Sequence, residues 1–465
     1  MNRKLLIALF LVAAPAVAAA GTTEFCLDGE FNLGARYQGI DPDVDEFVAT
    51  RWCVVSDDDT GRAALSIEGK SNPDMEGGWA VAFMPPDRVR IVNAENPPDV
   101  EFRGADSRAE AQRIRRIDPR RLVEELDRMP LSQASVSLRD GRVEKLQTSA
   151  DLPLRGRVPV LWEWDWADIR HPELALTVDG SLFFRARGSW RDLPDDEAER
   201  HWRPTPGVEP VQVPGEYWPS RVNMQRVELA DGVYLVRGVR TGFQHLVVDT
   251  SDGLVVADAP AGWVELHQLP PADLVPGLGI SGLSERLVDF LAAELPGRPI
   301  RAVALTHAHD DHAGGARAFA AEGAEVFAPA SYAAVLESAL NRDSMPDDRL
   351  STAGKEVKVT PVFGETILAD ETIPVSLLSI GSSPHSSASL GVLAAGYFFV
   401  SDLHVPRSDA DAPRTDRAAT ECWFAGWAVA SLPAGTVVLN SHSTPQTPLS
   451  RLSSYLQSTA CRSPG

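Results

Sequence analysis

The chain has 465 residues, of which 44% are hydrophobic, and its formal net charge at pH 7 is −21. This length exceeds what one hydrophobic core usually holds, so we expect two domains. The acidic surface repels phosphate backbones, which excludes nucleic acid as an expected partner.

The first 20 residues have the layout of a secretory signal peptide. Arg3 and Lys4 precede an apolar run that begins at Leu5, and small residues close the segment at Ala18 and Ala20. The run is short for a membrane-spanning helix, and no later stretch is apolar for longer, so we expect no membrane span in the mature protein. A retained membrane anchor is the alternative. The sequence thus predicts a periplasmic or secreted protein.

Residues 21–201 are predicted to form a β-rich domain. Short alternating segments meet at Asp-Gly turns at positions 140–141 and 179–180, which is typical of β-hairpins. One helix is expected in DPRRLVEELDRM, where Asp118 can cap the helix and Pro119 suits its first position. No cluster of histidine, cysteine or carboxylate side chains in this half of the sequence indicates catalysis.

The segment VLWEWDWAD places three tryptophans at alternate positions, Trp162, Trp164 and Trp166. On a strand these side chains would share one face. We favour the interpretation that this face packs inside the core of the domain. The alternative is an exposed aromatic face that contacts a glycan or an envelope protein.

Residues 202–220 are crowded with prolines and lack a helical or strand period, so they are predicted to be a linker. Residues 221–465 have a different order of predicted strands and helices. Strand segments such as VELADGVYLVRGV and FQHLVVDTSDGLVVADAP come first, and alternating strands and helices follow. This order indicates a second domain built from α/β layers.

The four cysteines lie near the two ends of the predicted mature chain, at Cys26, Cys53, Cys422 and Cys461. Four cysteines in an oxidising compartment allow three pairings. We favour disulfides between sequence neighbours, Cys26 with Cys53 and Cys422 with Cys461. Each domain would then carry its own disulfide.

The stretch LTHAHDDHAGG, residues 305–315, places three histidines and two aspartates within six positions. It follows the apolar strand RAVAL and precedes a predicted helix, so its polar side chains lie at the carboxyl end of a strand, where α/β layers bind ligands. Histidine and carboxylate are ligands that zinc and its first-row neighbours accept. The pattern therefore indicates a metal site. We call residues 305–315 the metal loop.

The metal loop resembles the signature of the metallo-β-lactamase fold superfamily. It reads His307-x-His309-x-Asp311-His312, followed by Gly314 and Gly315. The superfamily places three further ligands later in the chain, at positions filled here by His385, Asp402 and His442. The resemblance covers about residues 222–458 and implies an α+β fold, an αββα sandwich, for the C-terminal domain.

The resemblance also implies a centre with two metal ions, which we expect to be Zn²⁺. His307, His309 and His385 would bind the first ion. Asp311, His312 and His442 would bind the second ion, and Asp402 would bridge the two. A hydroxide that bridges the ions would attack the substrate at neutral pH.

Other residues receive roles from the same resemblance. We assign Asp311 a catalytic role, and we expect Asp258 and His404 to support the ligands from behind. Asp310 occupies a variable position of the motif and is expected to face solvent. His245 and His267 are candidates for lining the cleft.

This sequence departs from the pattern of the superfamily at its usual glycine positions. Prolines or serines flank two of the ligand histidines, at Pro384, Ser386, Ser441 and Ser443. Ser401 precedes Asp402, where glycine is usual. The ligands are retained, but the loops that carry them differ.

The resemblance implies a hydrolase that acts on an ester, lactone, thioester or amide of a small molecule. Three alternatives stay open. The first is a secreted zinc β-lactamase, although such enzymes are usually shorter and have a single domain. The second is a sulfur dioxygenase with one Fe²⁺, which would leave His312 and His442 idle. The third is a non-catalytic envelope or glycan-binding protein.

Overall fold

The computed structural model describes residues 21–462 with gaps, the longest of which are 33–39, 70–78, 126–134, 213–223 and 262–279. The predicted signal peptide and His267 lie outside the described residues. The same is true of the 213–220 part of the predicted linker.

Strands of the first half of the described chain form one sheet of twelve, which we call the N-terminal sheet. In chain order these strands are β1 (Thr22–Asn32), β2 (Phe47–Asp57), β3 (Ala63–Gly69), β4 (Trp79–Met84), β5 (Arg88–Asn93), β6 (Val100–Arg103), β7 (Ser135–Arg139), β8 (Arg142–Leu152), β9 (Gly156–Asp165), β10 (Glu173–Val178), β11 (Ser181–Leu193) and β12 (Val211–Gln212). Their spatial order is β12-β6-β5-β4-β3-β2-β1-β11-β10-β9-β8-β7. The β-rich character predicted for this half is confirmed.

Two predicted hairpin turns of this sheet are confirmed. Asp140 and Gly141 join β7 to β8, and Asp179 and Gly180 join β10 to β11. All four residues have positive φ angles, between 51° and 80°. Two-residue hairpin turns of this kind fit the right-handed twist of the strands, and aspartate and glycine tolerate the conformation.

Helices pack on both faces of the N-terminal sheet, because two of them share one core cluster with the strands and the third belongs to another cluster on the opposite face. They are α1 (Arg108–Arg115), α2 (Pro119–Glu125) and α3 (Asp195–Trp202). The predicted helix is α2, which begins at Pro119, and the Asp118 carboxylate accepts a hydrogen bond from Arg120 N at 2.9 Å. Ile114 and Leu122 of α1 and α2 belong to the same core cluster as the sheet.

The tryptophans at alternate positions of β9 pack in this core, as favoured from the sequence. Trp162 is 1% exposed and Trp164 is 4% exposed, and both join Phe25 and Trp52 in the core cluster. Trp166 is partly buried against them. The alternative of an exposed aromatic face is therefore wrong for Trp162 and Trp164, because the curved sheet and its helices enclose that face.

The second half of the described chain contains two further sheets. The first sheet has β13 (Gln225–Ala230), β14 (Val233–Arg237), β15 (Gln244–Thr250), β16 (Gly253–Ala257), β17 (Ile300–Ala304), β18 (Glu325–Pro329) and β19 (Val359–Val362), which neighbour one another in that order. The second sheet has β20 (Glu365–Leu368), β21 (Val375–Gly381), β22 (Ser389–Ala394), β23 (Tyr397–Phe399), β24 (Val437–Leu439) and β25 (Thr447–Pro448), again in that order. In the first sheet the neighbouring strands from β16 through β19 pair in parallel. In the second sheet β23 and β24 pair in parallel.

The helices of this half lie on the outer sides of the two sheets. They are α4 (Gly282–Glu294), α5 (Asp310–Ala313), α6 (Ala316–Glu322), α7 (Ala330–Leu340), α8 (Arg349–Thr352), α9 (Ala418–Ser431), α10 (Leu449–Tyr455) and α11 (Thr459–Arg462). Side chains of β16 show the layering. Leu254 and Val256 pack with α4, α6 and α7, whereas Val255 and Ala257 pack against the second sheet.

A separate cluster joins the second sheet to α9 and α10. The layers are thus helix, sheet, sheet and helix, and the predicted αββα sandwich is confirmed. Strands buried on both faces explain the continuous apolar runs in the sequence.

Both disulfides join sequence neighbours, as predicted. Cys26 and Cys53 lie opposite each other on β1 and β2, and Cys422 of α9 joins Cys461 of α11. Each disulfide stays within its own half of the chain. Among the residues that the structure describes, no helix is both long enough and apolar enough to cross a membrane.

The predicted linker begins at the edge of the N-terminal sheet. Val211 and Gln212 form β12, which pairs in parallel with Phe102 and Arg103 of β6. The domain boundary between residues 201 and 221 stays a prediction.

Substitution of the core tryptophan tests the packing of β9. Trp162→Ala should lower the free energy of unfolding by about 3–5 kcal/mol, because it removes a large buried side chain. Trp166→Ala is the matched control and should cost about 1–2 kcal/mol, since that ring is only partly buried. Denaturant unfolding measures both values. Equal and small losses would contradict the assignment of Trp162 to the core.

Candidate metal centre

The metal loop leaves the carboxyl end of β17 and turns directly into α5. His307 and His309 come before the helix, and His312 lies within it, so the backbone changes from extended to helical between the histidines. This change of backbone conformation brings the imidazole rings of the three histidines into contact at the carboxyl end of β17. Gly315 follows the helix, and a Cβ there would lie 2.2 Å from Pro260 O, so the close approach requires glycine.

Two groups of donor atoms form at this place. The first group contains His307, His309, His385 and Asp402, and the second contains Asp311, His312 and His442. Within each group the donor atoms all lie within 4.8 Å of one another. The seven residues singled out in the sequence are therefore brought together, although they come from four separate segments of the chain.

Asp402 belongs to the first group and also faces the second. Its Oδ2 is 3.4 Å from His385 Nε2, and its Oδ1 is 2.8 Å from His442 Nε2. The same Oδ1 is 3.3 Å from His312 Nε2. One carboxylate thus faces histidines of both groups, which is the geometry that a bridging ligand requires.

The second sheet supplies the ligands that come late in the sequence. His385 lies in the loop between β21 and β22, Asp402 lies in a short 3₁₀ turn after β23, and His442 follows β24. These strand ends meet the end of β17 across the sandwich. The site therefore sits at one edge of both sheets.

Burial sets the protonation of the first group. It lowers the pKa of His307 to about 3 and the pKa of His309 well below its usual value. Both imidazoles are therefore neutral at pH 7 and keep a lone pair. Neutral imidazole is the form that binds metal ions.

The second group has the opposite electrostatic character. Burial acts to lower the pKa of His312, but the carboxylates of Asp402, Asp311 and Asp258 outweigh it and raise that pKa well above its usual value. Burial would raise the pKa of Asp402, yet His312 and His442 hold it well below the usual range. A site that stabilises positive charge on a buried imidazole also suits a divalent cation in contact with that imidazole. The donor set therefore fits a metal centre.

Asp258 supports His312 from the side away from Asp402. It follows β16 directly, with a φ of 65°, and Asp258 Oδ2 accepts a hydrogen bond from His312 Nδ1 at 2.9 Å. Its Oδ1 accepts a hydrogen bond from Thr306 N at 2.8 Å. These contacts fix the ring orientation that leaves His312 Nε2 facing Asp402, as a supporting residue would do.

Two serines that replace the usual glycines meet behind Asp402. Ser401 Oγ lies 3.0 Å from Ser441 Oγ and 3.0 Å from His312 Nδ1. Both hydroxyls also donate hydrogen bonds to Asp402 Oδ1, at 3.2 Å from Ser401 and 3.1 Å from Ser441. Ser401 has a φ of 56°, a conformation that explains why glycine is usual here. The serine keeps this conformation and adds a hydroxyl to the centre.

The remaining sequence candidates do not belong to the two donor groups or differ from expectation. His404 is buried beside Phe424, and its Nε2 lies 2.9 Å from Thr447 Oγ1. His245 is also buried, and its Nδ1 donates a hydrogen bond to Ala257 O at 3.0 Å. The expectation that Asp310 faces solvent is wrong, because Asp310 is buried at the first position of α5 and is only 6% exposed.

The sequence interpretation missed Asn440 and Arg417. Asn440 Oδ1 accepts hydrogen bonds from His442 N at 3.0 Å and Ser443 N at 2.6 Å, so it shapes the loop that carries His442. An asparagine just after a strand is a known signal for such a turn. Arg417 donates to the backbone carbonyl of Asp402, and burial lowers its pKa to about 10.

Comparison with known proteins identifies the family of this region. Residues 276–442, which include all seven donor residues, match the family described as the Metallo-beta-lactamase superfamily. No curated protein matches the chain. The C-terminal half of the chain contains a domain of this superfamily, so the resemblance stated from the sequence is confirmed.

Solved structures that resemble the chain cover about half of it. A metallo-beta-lactamase from Pontibacter korlensis is 18% identical, with a TM-score of 0.34, and the match covers 50% of this chain and 96% of that chain. A metallo beta lactamase from Hirschia baltica is 17% identical, with a TM-score of 0.33 and coverages of 50% and 95%. An inverting sec-alkylsulfatase from Pseudomonas sp. is 17% identical, with a TM-score of 0.32 and coverages of 50% and 40%.

The serine pair provides a test that separates metal binding from folding. Ser401→Gly should weaken zinc binding about tenfold, because it removes a hydroxyl that orients Asp402 and His312. It should not lower the free energy of unfolding, since glycine adopts a positive φ without strain. Competition with a chromophoric chelator measures the affinity, and denaturant unfolding measures the stability.

The exposed Ser251 provides the control substitution, Ser251→Ala, which should change neither quantity. Unchanged zinc affinity in Ser401→Gly would show that the hydroxyl plays no part in the centre.

Proposed function

We propose that the metallo-β-lactamase superfamily domain in the C-terminal half of this chain is an exported metal-dependent hydrolase. Its substrate would be an ester, lactone, thioester or amide of a small molecule. The observation that carries the proposal is the position of Asp402, whose two oxygens face histidines of two separate donor groups. Two groups that share one carboxylate are the arrangement expected of a binuclear centre.

In this proposal the first group holds one ion and the second group holds the other. His307, His309 and His385 would bind the first ion, and Asp311, His312 and His442 would bind the second. Two Zn²⁺ ions would supply hydroxide at neutral pH and polarise the carbonyl oxygen of the substrate. Asp402 would fix the spacing between the two groups.

Asp311 is the residue to which we assign the proton transfer. Asp311 Oδ2 lies 3.5 Å from His312 Nε2, and its side chain is 15% exposed, whereas the side chain of His312 is fully buried. Asp311 therefore reaches the open side of the centre. Its carboxylate can accept a hydrogen bond from the attacking water, orient that water and accept its proton.

Export is proposed from two features that agree with each other. The first 20 residues have the composition of a signal peptide, and two disulfides join cysteines of the described chain. Disulfides persist in oxidising compartments such as a periplasm or the extracellular medium. The protein would then act on substrates outside the cytoplasm.

A zinc β-lactamase would use the same centre on a cyclic amide, so it differs from the main proposal only in its substrate. A sulfur dioxygenase with one iron would leave Asp311, His312 and His442 without a role. The structure gathers these three residues as a second group, and their conjunction supports two ions instead of one.

Metal content is the first measurement. Plasma mass spectrometry on the mature protein, purified without added metal or chelator, should find about two zinc ions per chain. His309→Ala should lose at least one of these ions, whereas His171→Ala, at an exposed position of the N-terminal half, should keep both. About one iron per chain would favour the dioxygenase. If the protein binds no stoichiometric metal even after zinc is supplied, the hydrolase proposal fails and the non-catalytic binding protein becomes the favoured function.

Hydrolysis is the second measurement. The zinc-loaded protein should hydrolyse at least one substrate in a panel of lactones, esters, thioesters and β-lactams. His309→Ala should lower kcat/KM by more than about 100-fold, since it removes a donor of the first group. Removal of metal by a chelator should abolish turnover, and added zinc should restore it. Turnover of β-lactams alone would assign the β-lactamase function.

A further inference from the structure

A tight turn of the N-terminal sheet reaches the metal loop. Leu152 O accepts a hydrogen bond from Arg155 N at 3.1 Å, which closes a four-residue turn between β8 and β9. Pro153 occupies the second place of the turn and Leu154 the third. We call residues 152–156 the β8–β9 turn.

Leu154 holds a backbone conformation that leucine rarely adopts. Its φ is 61°, and glycine or asparagine is the usual residue where the third place of a turn needs a positive φ. A bulky residue persists there only when the surroundings fix it in place. The leucine side chain must therefore contribute something that glycine cannot.

The contribution of Leu154 is burial in the core of the other half of the chain. The side chain is 1% exposed and belongs to the helix-side cluster of the first C-terminal sheet. The same cluster contains Ala308, Ala313 and Ala316, which are apolar residues in and after the metal loop. Leu154 is thus part of the packing that encloses the back of the metal loop.

Pro153 closes the space at the end of the metal loop. A Cβ on Gly314 would lie 2.7 Å from Pro153 Cβ and 2.8 Å from Ala261 Cβ. The backbone at Gly314, two residues after His312, is therefore held between the proline and Ala261. Gly314 N also donates a hydrogen bond to Asp310 O at 2.8 Å, so this contact reaches the start of α5.

Hydrogen bonds fix the other side of the turn. Arg157 N donates to Ser344 O at 2.7 Å, and Ser344 Oγ donates to Arg155 O at 3.2 Å. Arg155 itself is buried and pairs with Asp179 of the neighbouring hairpin at 3.2 Å. The turn is thus anchored both to its own sheet and to the C-terminal half.

We propose that Leu154 and Pro153 of the β8–β9 turn are positioning residues for the metal centre. The N-terminal half would hold the segment 310–315, and with it Asp311 and His312, in the geometry that the second group requires. This inference rests on the proposed function for the identity of the centre. It also assigns a role to the N-terminal half, for which the sequence indicates no catalysis.

Hydrogen exchange of the metal-free, full-length protein tests the inference directly. In Leu154→Ala the amides of residues 307–315 should exchange at least about tenfold faster than in the unmodified protein, because local opening of the loop becomes easier. Leu154→Met, which refills the volume, should restore slow exchange. Cobalt binding to Leu154→Ala should be about tenfold weaker, with an altered visible absorption spectrum.

Leu176→Ala is the matched control. Leu176 is also fully buried, but it belongs to the core cluster of the N-terminal sheet and not to the cluster that contains Leu154. Its substitution should destabilise the N-terminal half and leave exchange in residues 307–315 unchanged. Faster exchange in both variants would reduce the effect to general destabilisation and overturn the inference, as would unchanged exchange in Leu154→Ala.

Two further measurements cover the cases in which Leu154→Ala does not fold or the protein binds no metal. If Leu154→Ala does not fold, Pro153→Ala takes its place, and the same comparison of residues 307–315 applies. If the unmodified protein binds no cobalt and no zinc, the proposed function fails. The exchange comparison uses no metal, so it still decides whether the turn holds the loop.

Discussion

The contact between Asp402 and the surrounding histidines is the constraint on which the centre depends. A carboxylate buried among apolar layers is costly unless opposite charge or hydrogen-bond donors face it. His312 and His442 face this carboxylate, and they follow strands of different sheets of the sandwich. The edges of the two sheets must therefore meet at this place. Asp258, Ser401 and the turn at Asn440 then serve one purpose, which is to hold these few side chains in contact.

Much of this architecture could be predicted because the relevant patterns are local. The metal loop places its donors within six residues, so their type and spacing are visible without any tertiary information. Asp-Gly pairs between alternating segments specify hairpins by their backbone preferences alone. The pairing of the disulfides could be predicted because cysteines that are close in the sequence, within the same half of the chain, tend to pair with each other. The later ligands His385, Asp402 and His442 depended on the resemblance, because a single histidine after a strand carries little signal.

Other features could not be predicted because they arise only when distant segments meet. Ser401 and Ser441 looked like losses of glycine in the sequence, yet in the fold their hydroxyls meet on Asp402. Asp310 looked like a solvent-facing residue of a loop, but it is buried at the start of α5. Leu154 lies in a segment of the N-terminal half to which the sequence assigns no function. Its burial in the opposite core is a property of how the two halves pack, which no local pattern encodes.

Backbone strain gives an independent view of which positions the fold is built to hold. Among the described residues, six other than glycine have a positive φ. Asp140, Asp179 and Ala395 each precede a glycine in a two-residue hairpin turn, where the conformation is expected. The other three are Asp258, Ser401 and Leu154, and none of them lies in such a turn. Two of these contact His312, and the third packs behind the metal loop. Strain of this kind persists only where surrounding contacts outweigh it, and such sites are often functional. The grouping of Leu154 with two residues of the centre is therefore what a positioning role for the N-terminal half would produce.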